Sequence, residues 1–348
     1  MKRANFIFLI LIFLVSLILP MMSKSITNLD VLIEKAKEEG ELVWYSSSLD
    51  WASRRMLYEF EELYPFMKGK TKLEKGGSFK LRDKYNEELE ADDVKVDVIH
   101  LSDPTIFIDW KKEGHLYYYP SKEYIAYPKE YKDDGYWAAL RVTSVCIAYN
   151  AQVISKEEAP RTWKDLLDPK WKGKIQLGDP RQKGTRYIQY YHLREKYGID
   201  FWKGLAEQDC KIEEKAGDLS SELLSGEYPI AGTYLGYFAY GRSIKKGEPI
   251  RAVWPSGEVP VVLGPVAIVA EAPHPAAASL FMDFILSLEG QVLFQTLLGT
   301  YSVRNDVPPL PGKIPFSELK PFPTDWNDYQ LKQETYNREF TEIFGLQD

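Results

Sequence analysis

The segment from Val261 to Gln291 constrains the fold more than any other part of the chain. Its first ten residues, Val261 to Ala270, are almost all apolar and rich in valine, which predicts a strand buried on both faces. Pro273 and Pro275 end this strand. A helix is then predicted, with Gly290 near its end and apolar side chains at helical spacing: Leu280, Phe281, Phe284, Ile285 and Leu288. The segment therefore predicts a buried strand, a Pro-His-Pro turn and an amphipathic helix, in that order.

Strand and helix patterns alternate through the first third of the chain. Strands are predicted at Leu42–Tyr45, Lys70–Glu74 and Val96–Leu101. Helices are predicted at Ile26–Glu39, Trp51–Tyr64, Leu81–Leu89 and Thr105–Glu113. This alternation is typical of an α/β fold in which a mostly parallel sheet is flanked by helices.

A second alternation runs from Ile175 to Trp254, between two long apolar strand patterns. These two patterns, Val142–Tyr149 and Val261–Ala270, are predicted to tie two lobes together. The last 40 residues are rich in proline and then helical from about Asp325, so we expect them to pack on the outside of a lobe.

Four segments together resemble one known family. They are Leu42-Val-Trp-Tyr-Ser-Ser47, the run Trp163–Ile175, Ser225-Gly-Glu-Tyr-Pro-Ile-Ala231, and the Val261–Gln291 segment with its Ser-Leu-Glu-Gly-Gln ending. Their order and spacing closely resemble the solute-binding proteins of bacterial ABC importers. The most similar branch contains the ferric-iron binders and their phosphonate- and phosphate-ester-binding relatives, and the resemblance extends from about Glu41 to about Val307.

The resemblance implies a two-lobed periplasmic-binding-protein type II fold with two hinge strands. On this interpretation residues 26–145 and 262–306 form the first lobe, residues 146–261 form the second lobe, and residues 307–348 form an extension packed on one of them. A solute would bind in the cleft between the lobes, and the closed form would be recognised by a membrane permease. The implied state is a monomer.

The N-terminus carries the pattern of an export signal. Lys2 and Arg3 precede an apolar run from Phe6 to Pro20, and small residues allow cleavage after Ser25. We therefore expect residues 1–25 to be a signal peptide and the protein to be periplasmic or otherwise extracytoplasmic, with an uncleaved membrane anchor as the alternative. The net charge of −7 and the absence of an arginine-rich run argue against a nucleic-acid partner.

Cysteine and histidine are scarce. Export would permit a disulfide between Cys146 and Cys210, but Cys146 lies in an apolar strand pattern, and free buried thiols are the simpler interpretation. The four histidines are not at metal-ligand spacing, so a zinc site is not expected. No resident cofactor is expected.

Candidate ligand-binding residues lie where predicted strands give way to helices, because helix N-termini there offer free backbone N–H groups. Four such places were found: Ser46, Ser47 and Ser48; Asp103 beside Ser102; the cationic loop with Arg181, Lys183, Gly184, Thr185 and Arg186; and Thr233 with Tyr234. Capping alone can explain the first two places. The cationic loop is not a nucleotide-binding motif, because Lys183 precedes Gly184, but it suits an anion.

The resemblance also raises ferric iron as a possible cargo. In the ferric-iron binders, adjacent tyrosines occupy the place where this chain has Thr233 and Tyr234. Their histidine ligand falls near Leu49 and their acidic ligand near Ser102 or Asp103, so only Tyr234 and Asp103 remain as hard oxygen ligands. Iron would need a synergistic anion.

The sequence therefore favours a binding protein over an enzyme. The first hypothesis is capture of a small anionic solute, namely a phosphonate, a phosphate ester or a carboxylate, and the second is capture of Fe³⁺ through Tyr234. An exported hydrolase is the third hypothesis, but the sequence contains no Gly-x-Ser-x-Gly or His-Glu-x-x-His motif to support it.

Overall fold

The computed structural model describes residues 28–182, 184–213, 216–255 and 257–347. Its strands are β1 (Leu42–Ser46), β2 (Thr71–Lys75), β3 (Val98–His100), β4 (Lys132–Asp133), β5 (Trp137–Asn150), β6 (Ile175–Gly178), β7 (Lys211–Glu213), β8 (Ile230–Leu235), β9 (Ile250–Val253) and β10 (Val261–Ile268). Its helices are α1 (Asn28–Glu39), α2 (Asp50–Leu63), α3 (Ser78–Glu90), α4 (Pro104–Glu113), α5 (Thr185–Tyr197), α6 (Ile199–Glu207), α7 (Ala216–Ser225), α8 (Gly236–Tyr240), α9 (Pro275–Leu286), α10 (Leu288–Leu298), α11 (Phe316–Leu319), α12 (Trp326–Leu331) and α13 (Gln333–Phe344).

The strands are hydrogen-bonded in the order β2-β1-β3-β10-β5-β8-β6-β7, and both β4 and β9 pair with β5. The pairs of β1 with β2 and β3, and of β6 with β7 and β8, are parallel. The long strands β5 and β10 are antiparallel to their neighbours. The predicted α/β fold with mixed sheets is therefore confirmed, but the sheets are not mostly parallel, because four strand pairs are parallel and five are antiparallel.

Strand β5 joins the two sheets. Its first half pairs with β10 through Ala138–Ser144, whereas its second half pairs with β8 through Val145–Tyr149. The chain returns beside this crossing point, where the backbone N–H of Val145 donates to the carbonyl oxygen of Pro260 at 2.8 Å. The polypeptide thus crosses between the lobes at two adjacent points, as expected for hinge strands.

Each lobe has its own apolar core. In the first lobe, the rings of Trp44 and Phe60 each lie 5.1 Å from the ring of Phe281, which comes from α9. In the second lobe, Tyr190 of α5 packs against Trp202 of α6 at 4.4 Å and against Phe340 of α13 at 5.4 Å. Helix α13 of the C-terminal segment therefore contributes to the core of the second lobe.

Two predicted elements need correction. The helix after the Pro-His-Pro turn is two helices, α9 and α10, because the chain breaks at Ser287, whose Oγ caps the second helix by accepting from the N–H of Gly290 at 3.0 Å. A Cβ at Gly290 would lie 2.1 Å from the carbonyl oxygen of Phe284, so the sharp break requires glycine. Strand β8 continues to Leu235, so Thr233 and Tyr234 lie within the strand rather than in a loop after it.

The predicted signal peptide, residues 1–25, lies outside the described residues. Within the described part of the chain, no single helix is long and apolar enough to cross a membrane; α9 and α10 reach that length only together, and they meet at 68°. Both cysteines are free thiols, and burial raises the pKa of each.

Lys313 is buried behind the hinge, with only 8% of its surface exposed. Its Nζ donates to the carbonyl oxygens of Gly299 at 2.5 Å and Thr300 at 3.1 Å, just beyond the end of α10. Burial lowers the pKa of Lys313 from 10.5 to about 7. Between these two values the unfolded chain binds a proton that the folded protein does not, so this residue makes stability rise with pH across that window.

We expect Lys313→Met to remove this pH dependence. The free energy of unfolding of the wild type, measured by urea denaturation between pH 7 and pH 10, should rise relative to the variant by up to about 1.4 kcal/mol per pH unit. The other titrating groups contribute equally to the pH dependence of both proteins, so their contributions cancel in the comparison. Parallel pH profiles for the two proteins would show that Lys313 keeps its ordinary pKa.

Candidate functional site

A cavity of about 390 Å³ lies between the two lobes. The first-lobe side includes Gly77, Ser78, Phe79, Lys80, Ser102, Arg141, Thr143 and Gly264. The second-lobe side includes Gly184, Thr185, Arg186, Leu219, Thr233, Tyr234, Leu235, Tyr237 and Phe238, and Val262 of β10 lies between the two sides. The volume is in the range of small-molecule sites.

Arg141 projects from β5 into this cavity. Its Nη1 donates to Thr143 Oγ1 at 2.8 Å and its Nη2 to Ser102 Oγ at 2.7 Å, while its buried Nε has no hydrogen-bond partner among the described residues. Burial lowers the pKa of Arg141, but an arginine remains protonated at neutral pH. None of the described carboxylates forms an ion pair with it. The cavity lining therefore includes a positive charge that no described carboxylate neutralises.

Two helices from opposite lobes begin at the cavity. Helix α3 begins at Ser78 after Gly77, and α5 begins at Thr185 after Gly184. Gly184 has φ +60° and ψ −130°, a conformation that favours glycine and turns the chain into the helix. The free N–H groups and partial positive charge of each helix start thus face the same space.

Neutral hydroxyls connect these parts. Ser78 Oγ accepts from the backbone N–H of Ser102 at 2.9 Å, and Ser102 Oγ lies 3.2 Å from Ser47 Oγ. Ser102 therefore touches both Arg141 and the loop after β1. Such hydroxyls can donate to ligand oxygens without adding charge.

Tyr234 reaches the cavity from β8 but is only 1% exposed. Its phenol lies 2.9 Å from Ser220 Oγ, and burial raises its pKa to about 12. Burial also raises the pKa of the neighbouring Tyr237, although the charge of Arg141 opposes the shift. Both phenols are therefore protonated at neutral pH, which suits a hydrogen-bond donor better than a metal-binding phenolate.

The three serines after β1 occupy different positions. Ser46 and Ser48 are buried beside His100, whose Nδ1 lies 3.3 Å from Ser46 Oγ and 3.4 Å from Ser48 Oγ. Burial, together with the charge of Arg141, lowers the pKa of His100, so this imidazole is neutral. Ser47 and Ser48 line a smaller space of about 40 Å³ that shares Arg141 with the main cavity.

Asp103 and Arg181 lie away from the main cavity. Asp103 caps α4, since its Oδ1 accepts from the backbone N–H of Thr105 at 3.0 Å, and it faces a second space beside α12. Arg181 binds the fully buried Asp179 through two nitrogens and donates to the carbonyl oxygen of Gln347 at 2.7 Å. Lys183 lies outside the described residues.

The structure therefore brings seven of the predicted residues to the two spaces that Arg141 lines: Ser47, Ser48, Gly184, Thr185, Arg186, Thr233 and Tyr234. Sequence reasoning missed Arg141 and the Gly77–Ser78 helix start. Signals for both were present. An arginine interrupts the apolar run of β5, and Gly76-Gly77-Ser78 separates a predicted strand from a predicted helix.

Two α/β lobes joined by paired crossing strands, with a cationic cavity between them, define a solute-binding protein. The chain belongs to the family of bacterial extracellular solute-binding proteins, whose family model matches residues 93–328. The resemblance seen in the sequence is thereby confirmed.

Individual relatives agree with this assignment. Over 174 residues, 46% of this chain and 50% of the relative, the chain is 26% identical to a Salmonella typhimurium protein named "Putative 2-aminoethylphosphonate-binding periplasmic protein". The chain spans about half the length of the curated relatives it matches, or less.

Solved structures match over a longer range. Iron-bound HitA from Pseudomonas aeruginosa has a TM-score of 0.75 at 22% identity, covering 86% of this chain and 99% of HitA. The periplasmic binding protein AfuA from Actinobacillus pleuropneumoniae, with fructose-6-phosphate bound, has a TM-score of 0.72 at 23% identity, covering 88% of this chain and 99% of AfuA. At these identities the likeness establishes the two-lobed fold.

Proposed function

We propose that this protein captures a small solute bearing a phosphonate or phosphate-monoester group and delivers it to an ABC importer. The observation that carries the proposal is Arg141, a partly buried guanidinium at the cavity with no ion-pair partner among the described residues. Guanidinium forks bind such groups through paired, charge-assisted hydrogen bonds.

The helix starts of α3 and α5 support the same ligand class. The anionic group would lie between Ser78 on one lobe and Thr185 on the other, where backbone N–H groups from both lobes can donate to it. Because these donors come from opposite lobes, an anion would favour the closed arrangement over an open one. The names of two relatives, one for 2-aminoethylphosphonate and one with fructose-6-phosphate, point to the same group.

Ferric iron is the second candidate for the cargo, favoured by the neighbour HitA and by Tyr234 at the cavity. The charge of the site disfavours it, because Fe³⁺ would meet the cation of Arg141 and would need to deprotonate a phenol whose pKa is about 12. No group of three or more metal-binding His, Cys, Asp or Glu side chains occurs among the described residues. Iron binding would therefore need several ligands from an accompanying anion.

We also propose the cellular setting and the domain boundaries given by the sequence. The protein would be exported by residues 1–25, act as a monomer, return its ligand unchanged and contact a membrane permease when closed. The boundaries 26–145 with 262–306, and 146–261, are supported by the change of partner within β5 after Ser144. Packing of Phe340 against Tyr190 supports assigning the end of the extension 307–348 to the second lobe, whereas Leu319 of α11 packs in the first-lobe core.

Calorimetry and thermal unfolding with inorganic phosphate, methylphosphonate, acetate and ferric citrate would test the ligand class. We expect methylphosphonate or phosphate to bind, with a stabilisation of about 2.7 kcal/mol at a hundredfold excess over Kd. If ferric citrate is the one compound of the four that binds, and a visible tyrosinate band appears, ferric iron would replace the phosphonate or phosphate ester as the proposed cargo. Absence of heat and of stabilisation with all four would reject both.

A further inference from the structure

Several apolar side chains also line the cavity. Leu219 of α7, Leu235 of β8 and Phe238 of α8 line it from the second lobe, and Phe79 of α3 lies on the first-lobe side. The ring of Phe238 is 4.4 Å from the ring of Tyr237, so the two form a continuous aromatic surface. A ligand held by its anionic group would place its organic substituent against this surface.

The charged side chains among the described lining residues have one sign. Lys80, Arg141 and Arg186 are cationic, whereas no Asp or Glu belongs to the described residues that line the cavity. Two nearby carboxylates are engaged elsewhere: Asp179 lies fully buried under Arg181, and Asp103 caps α4 and faces the second space. An ammonium group on the ligand would thus meet like charges, and none of the described lining residues offers a carboxylate to pair with it, which disfavours such a ligand.

We infer that the ligand is a phosphonate or phosphate monoester whose organic substituent is uncharged and partly apolar, and that aminoalkyl phosphonates are rejected. This inference rests on the proposed function and narrows it. It separates the chain from its relative named for 2-aminoethylphosphonate. The preference for an uncharged substituent arises from the cationic lining side chains together with the aromatic surface of Tyr237 and Phe238.

The test compares two ligands of nearly equal shape, propylphosphonate and 2-aminoethylphosphonate, by calorimetry at pH 7.5 and constant ionic strength. Propylphosphonate ends in a methyl group where 2-aminoethylphosphonate has an ammonium group. We expect propylphosphonate to bind at least about tenfold more tightly. Equal affinity, or tighter binding of the amine, would overturn the inference while leaving the proposed function standing. If methylphosphonate, phosphate and both test ligands all fail to bind, the proposed function fails and the inference fails with it.

A substitution at Phe238 should shift the expected selectivity toward the amine. Phe238→Glu places a carboxylate beside the substituent, so the ratio of the two affinities should move at least about tenfold toward the amine. Phe238→Gln, which is nearly the same size but neutral, separates the effect of charge from that of polarity and should move the ratio much less. Equal shifts in both variants, or no shift in a Phe238→Glu protein that still binds propylphosphonate, would show that the substituent does not lie at this wall.

Discussion

Replacing Arg141 by Met should weaken the binding of methylphosphonate by at least about 100-fold, equivalent to about 2.7 kcal/mol. Methionine keeps much of the side chain's length but removes the cation and its donors. The loss has two sources. The ligand loses charge-assisted hydrogen bonds, and Ser102 and Thr143 lose the guanidinium that orients their hydroxyls toward the site. Titration calorimetry on purified wild type and variant would measure the effect.

Two further variants make this result specific. Arg54→Met removes a cation that is exposed on α2 and paired with Asp50 at 2.8 Å, so it should leave affinity unchanged. Arg141→Lys keeps a positive charge but loses the planar fork, and it should recover only part of the affinity. An Arg141→Met protein that melts cooperatively and binds methylphosphonate as tightly as wild type would remove Arg141 from the site.

Although Arg141→Met should weaken ligand binding, it should not destabilise the protein without ligand. A guanidinium with an unsatisfied Nε is costly to bury, so the unliganded variant should be at least as stable as the wild type. Thermal unfolding without ligand would show this. Reduced affinity together with undiminished stability is the combination expected of a binding residue that has no structural partner among carboxylates.

The sequence predicted the fold well because the fold depends on periodicity and local chemistry. Apolar runs such as Val261–Ala270 can be satisfied only by burial, and glycines and prolines fixed most element ends to within a few residues. The break at Ser287 was missed because Ser-Leu-Glu-Gly continues an apolar helical pattern across it. Only the contact between Gly290 and the Phe284 carbonyl shows why the chain must turn there.

The site was harder to predict because it is assembled from residues distant in sequence. Local composition drew attention to Arg181, since three cations lie close together in that loop. The structure shows that Arg181 neutralises Asp179, a carboxylate only two positions away whose complete burial the sequence does not reveal. Arg141 was overlooked because a single arginine in an apolar strand does not form a recognisable motif. Only the packing of both lobes around it shows that no described carboxylate pairs with it.

The sequence did find the second-lobe helix start at Gly184 and Thr185. Its first-lobe counterpart at Gly77 and Ser78 follows the same rule, that ligands collect beyond the carboxyl ends of parallel strands. Applying that rule to β2 as well as to β1, β3, β6 and β8 would have predicted both helix starts. Their convergence across the cavity depends on how the lobes meet, which no local pattern encodes.

Phe340→Ala should lower the free energy of unfolding by about 3–5 kcal/mol, because it opens a cavity in the second-lobe core. Phe340 is fully buried in α13, and its ring lies 5.4 Å from that of Tyr190 and 4.5 Å from that of Phe344. The comparison variant is Leu331→Ala in α12, which truncates a side chain that is 81% exposed in the same C-terminal segment and should change stability by less than about 0.5 kcal/mol. Urea denaturation of the two variants measures both effects. Equal, small losses would show that the C-terminal helices are an appendage, whereas the expected difference would make them part of the lobe that supplies Gly184 and Thr185 to the site.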